Sequence, residues 1–220
     1  MSIFHLVQSK WPVNSKSPYH CSKQIVNSWD IRVYPVLQAV TPRAGIKISY
    51  QWDQQTKAVL AAGDKVLLLP HLDSSRPLIG SFLPVFWSPI WFHSCPATMS
   101  ILCDPQSPLF ADFPTGSYSN WQWWHLLQGS QTMIINNTPT DELPLVQLID
   151  NFARNDKLAN VLGAKEGKGS LLDCTLNFRD SSLPETTSFL KSLYGYADSK
   201  DFHPKQTLDK ATPNELLFPT

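Results

Sequence analysis

The chain has 220 residues, a length typical of one substantial domain with extensions. Apolar side chains make up 42% of it, enough for a hydrophobic core, and 18 basic side chains balance 18 acidic ones. A chain without net charge is not expected to bind a polyanion such as nucleic acid. No apolar run is long enough to span a bilayer, and the first residues lack the pattern of a secretory signal peptide. We therefore expect neither nucleic acid nor membrane among its partners.

The first 40 residues are predicted to form an extension with one strand. Apolar and polar side chains alternate over 29–36, which is typical of a half-buried strand, and Pro35 is expected to close it. The rest of the extension mixes polar residues and prolines without a period.

A strand, a helix and a second strand are predicted next, at 46–50, 54–62 and 65–70. Asp53 is well placed to cap the helix, and Gly63 is the expected left-handed residue at its end. The second of these strands, at 65–70, is an unbroken apolar run, as in a strand that is covered on both faces. Such a unit pairs its strands in parallel and predicts an α/β layer fold.

Shorter elements are predicted in the remainder. Ser182 and Glu185 have the spacing of a capping box at the start of a helix, and Gly167 and Gly169 favour a hairpin turn. Residues 201–220 are polar and rich in proline, so we expect a tail. The other predicted elements are strands at 98–103, 132–136 and 145–149, a helix at 120–128 capped by Ser119 or Asn120, and the two arms of the hairpin at 158–165 and 170–178.

No catalytic group is predicted from the residues. Cys103 follows a strand, where some α/β enzymes hold a nucleophile, but Ile101 and Pro105 occupy the places of the two glycines of that motif. Asp104 and Asp112 are close in sequence, yet both fit turn or cap positions better than a glycosidase pair. We therefore expect no catalytic residue.

No metal or cofactor site is predicted either. The six histidines are dispersed and the glycine-containing hairpin does not match a phosphate-binding loop. Cysteines are far apart, with no metal-binding spacing, and are expected to be buried thiols: Cys21, Cys95, Cys103 and Cys174.

The tryptophans are the most unusual feature of the sequence. One interpretation is that they fill the core beneath long loops. The other is an exposed aromatic surface on which a sugar ring stacks while neighbouring polar side chains bind its hydroxyl groups. At helical spacing, Trp123 points away from the others. The candidate carbohydrate-binding residues are Trp87, Trp91, Asn120, Trp121, Gln122, Trp124 and His125.

The chain resembles the C-terminal portion of large bacterial glycoside hydrolases of family two, the β-galactosidase clan, especially those of gut Bacteroidetes. The resemblance covers about residues 25–200. It is carried, in order, by WDIRVYP (29–35), AAGDKVLLLP (61–70), GSFLPVFWS (80–88), ILCDP (101–105), FADFPT (110–115), SNWQWW (119–124), VQLID (146–150), RNDKL (154–158) and GKGSLL (167–172).

The resemblance implies a fold and a domain organisation. Residues 41–200 would be a flavodoxin-like domain of the class I glutamine amidotransferase type, a three-layer sandwich with a mostly parallel sheet. Residues 1–40 would hold the last strand of a preceding β-sandwich. The catalytic barrel of such enzymes is absent from this chain, and the relatives are periplasmic. Ser107 and Tyr118 stand where the family pattern often has histidine, and His125 stands where an acidic residue is common.

The leading hypothesis is a non-catalytic accessory domain that binds an oligosaccharide or galactoside. The alternative is a structural module that packs against other domains of a glycoside hydrolase or a second copy of the chain. A hydrolase acting on glycosides is the third hypothesis.

Overall fold

The computed structural model describes residues 13–22, 25–35, 40–72, 80–81, 98–138, 143–152 and 154–207. Its first two strands, β1 (Val13–Ser22) and β2 (Ile25–Val33), pair with each other in an antiparallel sheet. The prediction of one strand in this region is therefore corrected to two. β1 was missed because it contains Pro18 and has no apolar alternation, and β2 ends before Pro35, which has no N–H to donate to a strand partner.

The main sheet contains seven strands in the described part of the chain. Their order is β3 (Lys47–Ser49), β4 (Lys65–Leu68), β9 (Gly169–Cys174), β8 (Leu158–Glu166), β7 (Val146–Ile149) and β5 (Ser100–Leu102), and β6 (Met133–Ile134) also pairs with β8. This sheet, together with the helices that pack on it, is an α/β fold.

The described sheet is mixed, so the prediction of a mostly parallel sheet is corrected. The pairs β3–β4 and β4–β9 are parallel, whereas the pairs β9–β8, β8–β7, β7–β5 and β6–β8 are antiparallel. The reason is the length of the connections. Parallel neighbours that follow one another in the chain need a long crossover, whereas β8 and β9 are joined by a turn at Gly167, which has a φ of 60°.

The predicted strand–helix–strand unit is confirmed. Helix α1 (Gln54–Ala62) connects β3 to β4. The carboxylate of Asp53 accepts a hydrogen bond from the N–H of Thr56 at 2.8 Å. Gly63 ends the helix with a φ of 101°, a conformation that glycine adopts without a steric penalty.

Helices lie on both faces of the sheet. On one face, Leu60 of α1 packs with Val66 and Leu68 of β4. On the other, helix α3 (Pro184–Asp198) contributes Phe189 to a larger core with Leu67. No helix among the described residues is long and apolar enough to cross a membrane.

The first residues of the predicted tail pack against the domain. Phe202 is only 2% exposed and belongs to the larger core. The N–H of Lys165 in β8 donates a hydrogen bond to the carbonyl of Gln206 at 2.6 Å. Residues 201–207 therefore add to the folded structure, which their polar composition did not indicate.

Candidate functional site

The segment predicted as a helix at 120–128 is shorter and more irregular than expected. A single 3-10 turn at Trp121–Trp123 leads into helix α2 (Trp124–Leu127). Asn120 caps the turn, because its side-chain oxygen accepts a hydrogen bond from the N–H of Gln122 at 3.1 Å. Asn120 is thus one of the two caps that the sequence indicated.

Two side chains of this segment point into the protein. Trp123 is fully buried, and its indole N–H donates to the hydroxyl of Thr115 at 2.9 Å. Gln122 is also buried. Its amide nitrogen donates to the carbonyl of Pro114 at 3.0 Å, and its amide oxygen accepts from the hydroxyl of Tyr34 at 3.0 Å. Among the predicted binding residues, Gln122 therefore holds the fold together and does not face solvent.

Three side chains of the segment reach the surface. Trp121 is 72% exposed, and the ring of Trp124 lies beside it with centroids 6.1 Å apart and planes tilted by 55°. His125 is exposed as well. This arrangement confirms that Trp123 faces away from Trp121, Trp124 and His125, and it divides the tryptophans between core and surface. Trp87 and Trp91 lie outside the described residues.

His125 joins α2 to α3. Its Nδ1 atom lies 2.5 Å from a carboxylate oxygen of Glu185. Glu185 is therefore engaged with His125 and does not form the predicted capping box. Ser182 donates its hydroxyl hydrogen to Asp180 at 2.6 Å, and Leu183 occupies the N-cap position without a side-chain hydrogen bond.

His125 is one of the residues that line a polar cleft of about 360 Å³. Its lining residues come from α2, from the loop that follows β9 and from the start of α3. They are His125, Gln128, Gly129, Asn177, Arg179, Asp180, Leu183 and Thr186. Hydrogen bonds from Ser182 lower the pKa of Asp180, so its carboxyl group is ionised at neutral pH. The cleft thus presents imidazole, amide, guanidinium and carboxylate groups.

Sequence reasoning missed the part of the cleft that follows β9. Asn177, Arg179 and Asp180 come directly after a buried strand, and polar side chains at that position are a recognisable signal. The amide of Asn177 donates to the carbonyl of Gln128 at 2.7 Å, and Arg179 donates to the carbonyl of Leu72 at 2.7 Å. These bonds tie the loop to α2 and to the segment after β4.

The residues considered for catalysis have other roles. Cys103 is buried and its thiol donates to the carbonyl of Gly116 at 3.4 Å, and burial raises its pKa to about 11, so it is not a thiolate at neutral pH. Asp104 accepts the backbone N–H of Gln106 at 2.9 Å, as in a turn, and Asp112 pairs with Lys191 at 2.8 Å.

Cysteine burial and metal binding were also considered from the sequence. The prediction of buried thiols is confirmed for Cys103 and Cys174. In the part of the chain that the structure describes, no three His, Cys, Asp or Glu side chains are grouped closely enough to hold a metal ion.

Comparison with known proteins finds one family. A family model described as a domain of unknown function (DUF8487) matches residues 47–218, which is most of the chain. No curated protein matches the sequence. The matched range begins at β3 and includes the main sheet, the cleft and the core residues after α3.

Proposed function

This chain belongs to the DUF8487 family, a domain family of unknown function, and from that premise we propose that it is a non-catalytic, carbohydrate-binding accessory domain. Within the α/β class, its proposed fold type is that of the class I glutamine amidotransferase-like, flavodoxin-like domains. It acts in association with a glycoside hydrolase of family two, and its ligand is an oligosaccharide that contains galactose or another plant cell-wall sugar.

The exposed Trp121, four residues before His125 of the polar cleft, is the observation that supports this proposal best. Trp121 is 72% exposed and its ring lies beside that of Trp124, so the two indoles form an aromatic surface that is accessible to a ligand. Aromatic faces pack on the C–H faces of pyranose rings. His125 and Gln128 follow Trp121 in the same short segment and line the cleft. They would bind the hydroxyl groups of a second sugar unit that extends from the stacked ring into the cleft.

The proposed accessory role also agrees with the state of the reactive groups. The thiol of Cys103 is protonated at neutral pH. The carboxylate of Asp104 accepts a hydrogen bond from the backbone N–H of Gln106, and that of Asp112 forms an ion pair with Lys191. The segments that resemble family-two glycoside hydrolases, among them 119–124, include the exposed tryptophan itself.

Titration with galactosides and plant cell-wall oligosaccharides tests the proposal. We expect Trp121→Ala to weaken binding by about five- to tenfold, roughly 1–1.4 kcal/mol, because the stacking surface is lost while the fold remains. Isothermal titration calorimetry measures the affinity, and the indole N–H signal of Trp121 reports the contact.

Phe152→Ala is the matched control, since Phe152 is 68% exposed and lies in the loop after β7. It should bind as the unaltered protein does. Equal affinity of the Trp121→Ala variant and the unaltered protein, or no binding at millimolar sugar, would contradict the proposal.

A protein interface is the second candidate function. β5 is an edge strand of the described sheet, and Leu102 at its end bridges to Tyr118. Leu102, Tyr118 and Trp121 are all exposed. Exposed apolar side chains at a sheet edge, here Leu102 and Tyr118, are typical of a surface that packs on another domain or a second copy. Light scattering that finds only monomers over a wide concentration range excludes the second copy.

A further inference from the structure

A second cavity, of about 280 Å³, lies at the carboxyl ends of the three parallel strands. Tyr50 follows β3, Leu69–Leu72 follow β4, and Leu176–Arg179 follow β9. Leu190 and Tyr194 of α3 also line it. In open α/β sheets, ligands bind in the crevice outside the carboxyl ends of the strands.

The charged side chains that line this cavity, among the described residues, are positive only. Arg179 is the one fully charged side chain among the described lining residues, and none of them is acidic. One guanidinium nitrogen of Arg179 donates a hydrogen bond to the carbonyl of Leu72 at 2.7 Å. The backbone N–H of Arg179 donates to the side-chain oxygen of Asn177 at 3.0 Å. These bonds hold the guanidinium group at the cavity, and the structure describes no ion pair for it.

The remaining wall combines polar rings with apolar side chains. The ring of Tyr50 stacks on that of His71, with centroids 5.6 Å apart and planes 16° from parallel. Burial raises the pKa of Tyr194, so its phenol stays protonated and can donate a hydrogen bond. Leucines and Phe178 supply the apolar part of the wall. The cavity therefore suits a ligand that has an apolar face, hydrogen-bonding groups and a negative charge.

We propose that this cavity binds a small monocarboxylate built on a single six-membered ring, with its carboxylate on Arg179 and its ring against the Tyr50–His71 pair. A guanidinium group binds a carboxylate through two parallel hydrogen bonds, which gives both strength and orientation. The volume is at the small end for ligand sites, which favours one ring over a chain. Asn177 and Arg179 also line the polar cleft near His125, but Tyr50, His71 and Tyr194 line this cavity alone, so the inference does not require sugar binding at Trp121.

Two kinds of ring carboxylate share this chemistry, a uronic acid and an aromatic acid. Galacturonate and para-hydroxybenzoate are the probes, each with a neutral counterpart, galactose and para-hydroxybenzyl alcohol. We expect at least one acid to bind at least about tenfold more tightly than its counterpart, because a charge-assisted hydrogen bond forms. The acid that shows the larger preference identifies the source of the ligand.

Arg179→Gln should abolish this preference, and Arg179→Lys should restore part of it. Lys168→Gln is the control, since it removes one positive charge next to the start of β9, at the opposite end of that strand from the cavity. The aromatic NMR signals of Tyr50 and His71 should shift on binding of the acid, and the same shift should be seen in the Trp121→Ala variant.

Three results would overturn the inference. They are failure of both acids to bind at millimolar concentration, equal affinity for acid and neutral counterpart, and an Arg179→Gln variant that is folded and keeps the preference. Sugar binding that depends on Trp121 without any preference for an acid would refute this inference and leave the proposed function intact.

Discussion

At the scale of single residues, Asp173 is the most unusual group in the described structure. It lies in β9, opposite Leu68 of β4 and Leu162 of β8, and it is buried. Its two carboxylate oxygens have no hydrogen-bond partner among the described residues. Burial disfavours the charged form and raises the pKa of this carboxyl group to about 8.

Asp173→Asn should remove a pH dependence of stability. The unfolded chain releases this proton near pH 4, whereas the folded protein holds it until about pH 8. The stabilisation from the bound proton is therefore complete below pH 4 and is lost as the pH rises towards 8. We expect the free energy of unfolding to fall by more than about 1.4 kcal/mol between pH 5 and 9, relative to the variant. Urea denaturation at each pH measures it, and parallel curves for the two proteins would contradict the assignment.

At the scale of elements, the contact between α1 and β9 is the tightest that the structure shows around a glycine in the main sheet. A Cβ atom on Gly169 would lie 2.5 Å from the backbone oxygen of Asp64 and 2.7 Å from that of Leu60. Backbone atoms cannot rotate away as a side chain does. The end of α1 therefore packs directly on the start of β9 only because no side chain is present there.

Gly169→Ala should destabilise the protein by about 1–3 kcal/mol, because the added methyl group separates α1 from β9. Gly116→Ala is the matched control, since a Cβ atom there would meet no atom within 4 Å. The control should be neutral or slightly stabilising, because alanine restricts the unfolded chain. Equal thermal unfolding of the two variants would show that α1 and β9 are not in close contact.

At the scale of the whole molecule, residues beyond α3 complete the core. Phe202 packs beside Tyr196 of α3, with ring centroids 5.5 Å apart, and Lys65 of β4 lies 5.8 Å above the Phe202 ring. Lys65 also donates to the carbonyl of Ser199 at 2.7 Å. These contacts connect the parallel part of the sheet to the segment after the last helix.

Phe202→Ala should cost about 3–5 kcal/mol, the usual loss for a buried phenylalanine. Phe152→Ala removes the same atoms from a side chain that is 68% exposed and should change the free energy of unfolding very little. Guanidinium denaturation of both variants gives the comparison. A loss for Phe202→Ala no larger than that for Phe152→Ala would mean that the segment after α3 does not stabilise the domain.

The sequence by itself determined the elements whose signals are local. The N-cap at Asp53, the end of α1 at Gly63 and the turn at Gly167 depend on the conformational preferences of those residues, and each is found where it was predicted. The apolar run of β4 also required a strand that is covered on both faces. These predictions succeeded because the interactions that decide them span only a few residues.

Only the tertiary structure decided which strands are neighbours and which polar groups meet. β4 pairs with β9, more than 100 residues later, and this pairing together with that of β3 and β4 places Arg179 and Tyr50 around one cavity. Gln122 and Trp121 are adjacent in sequence, yet Gln122 is buried and forms hydrogen bonds with Pro114 and Tyr34, whereas Trp121 is exposed. Burial depends on the side chains that distant segments bring to a position, and no local pattern of residues contains that information.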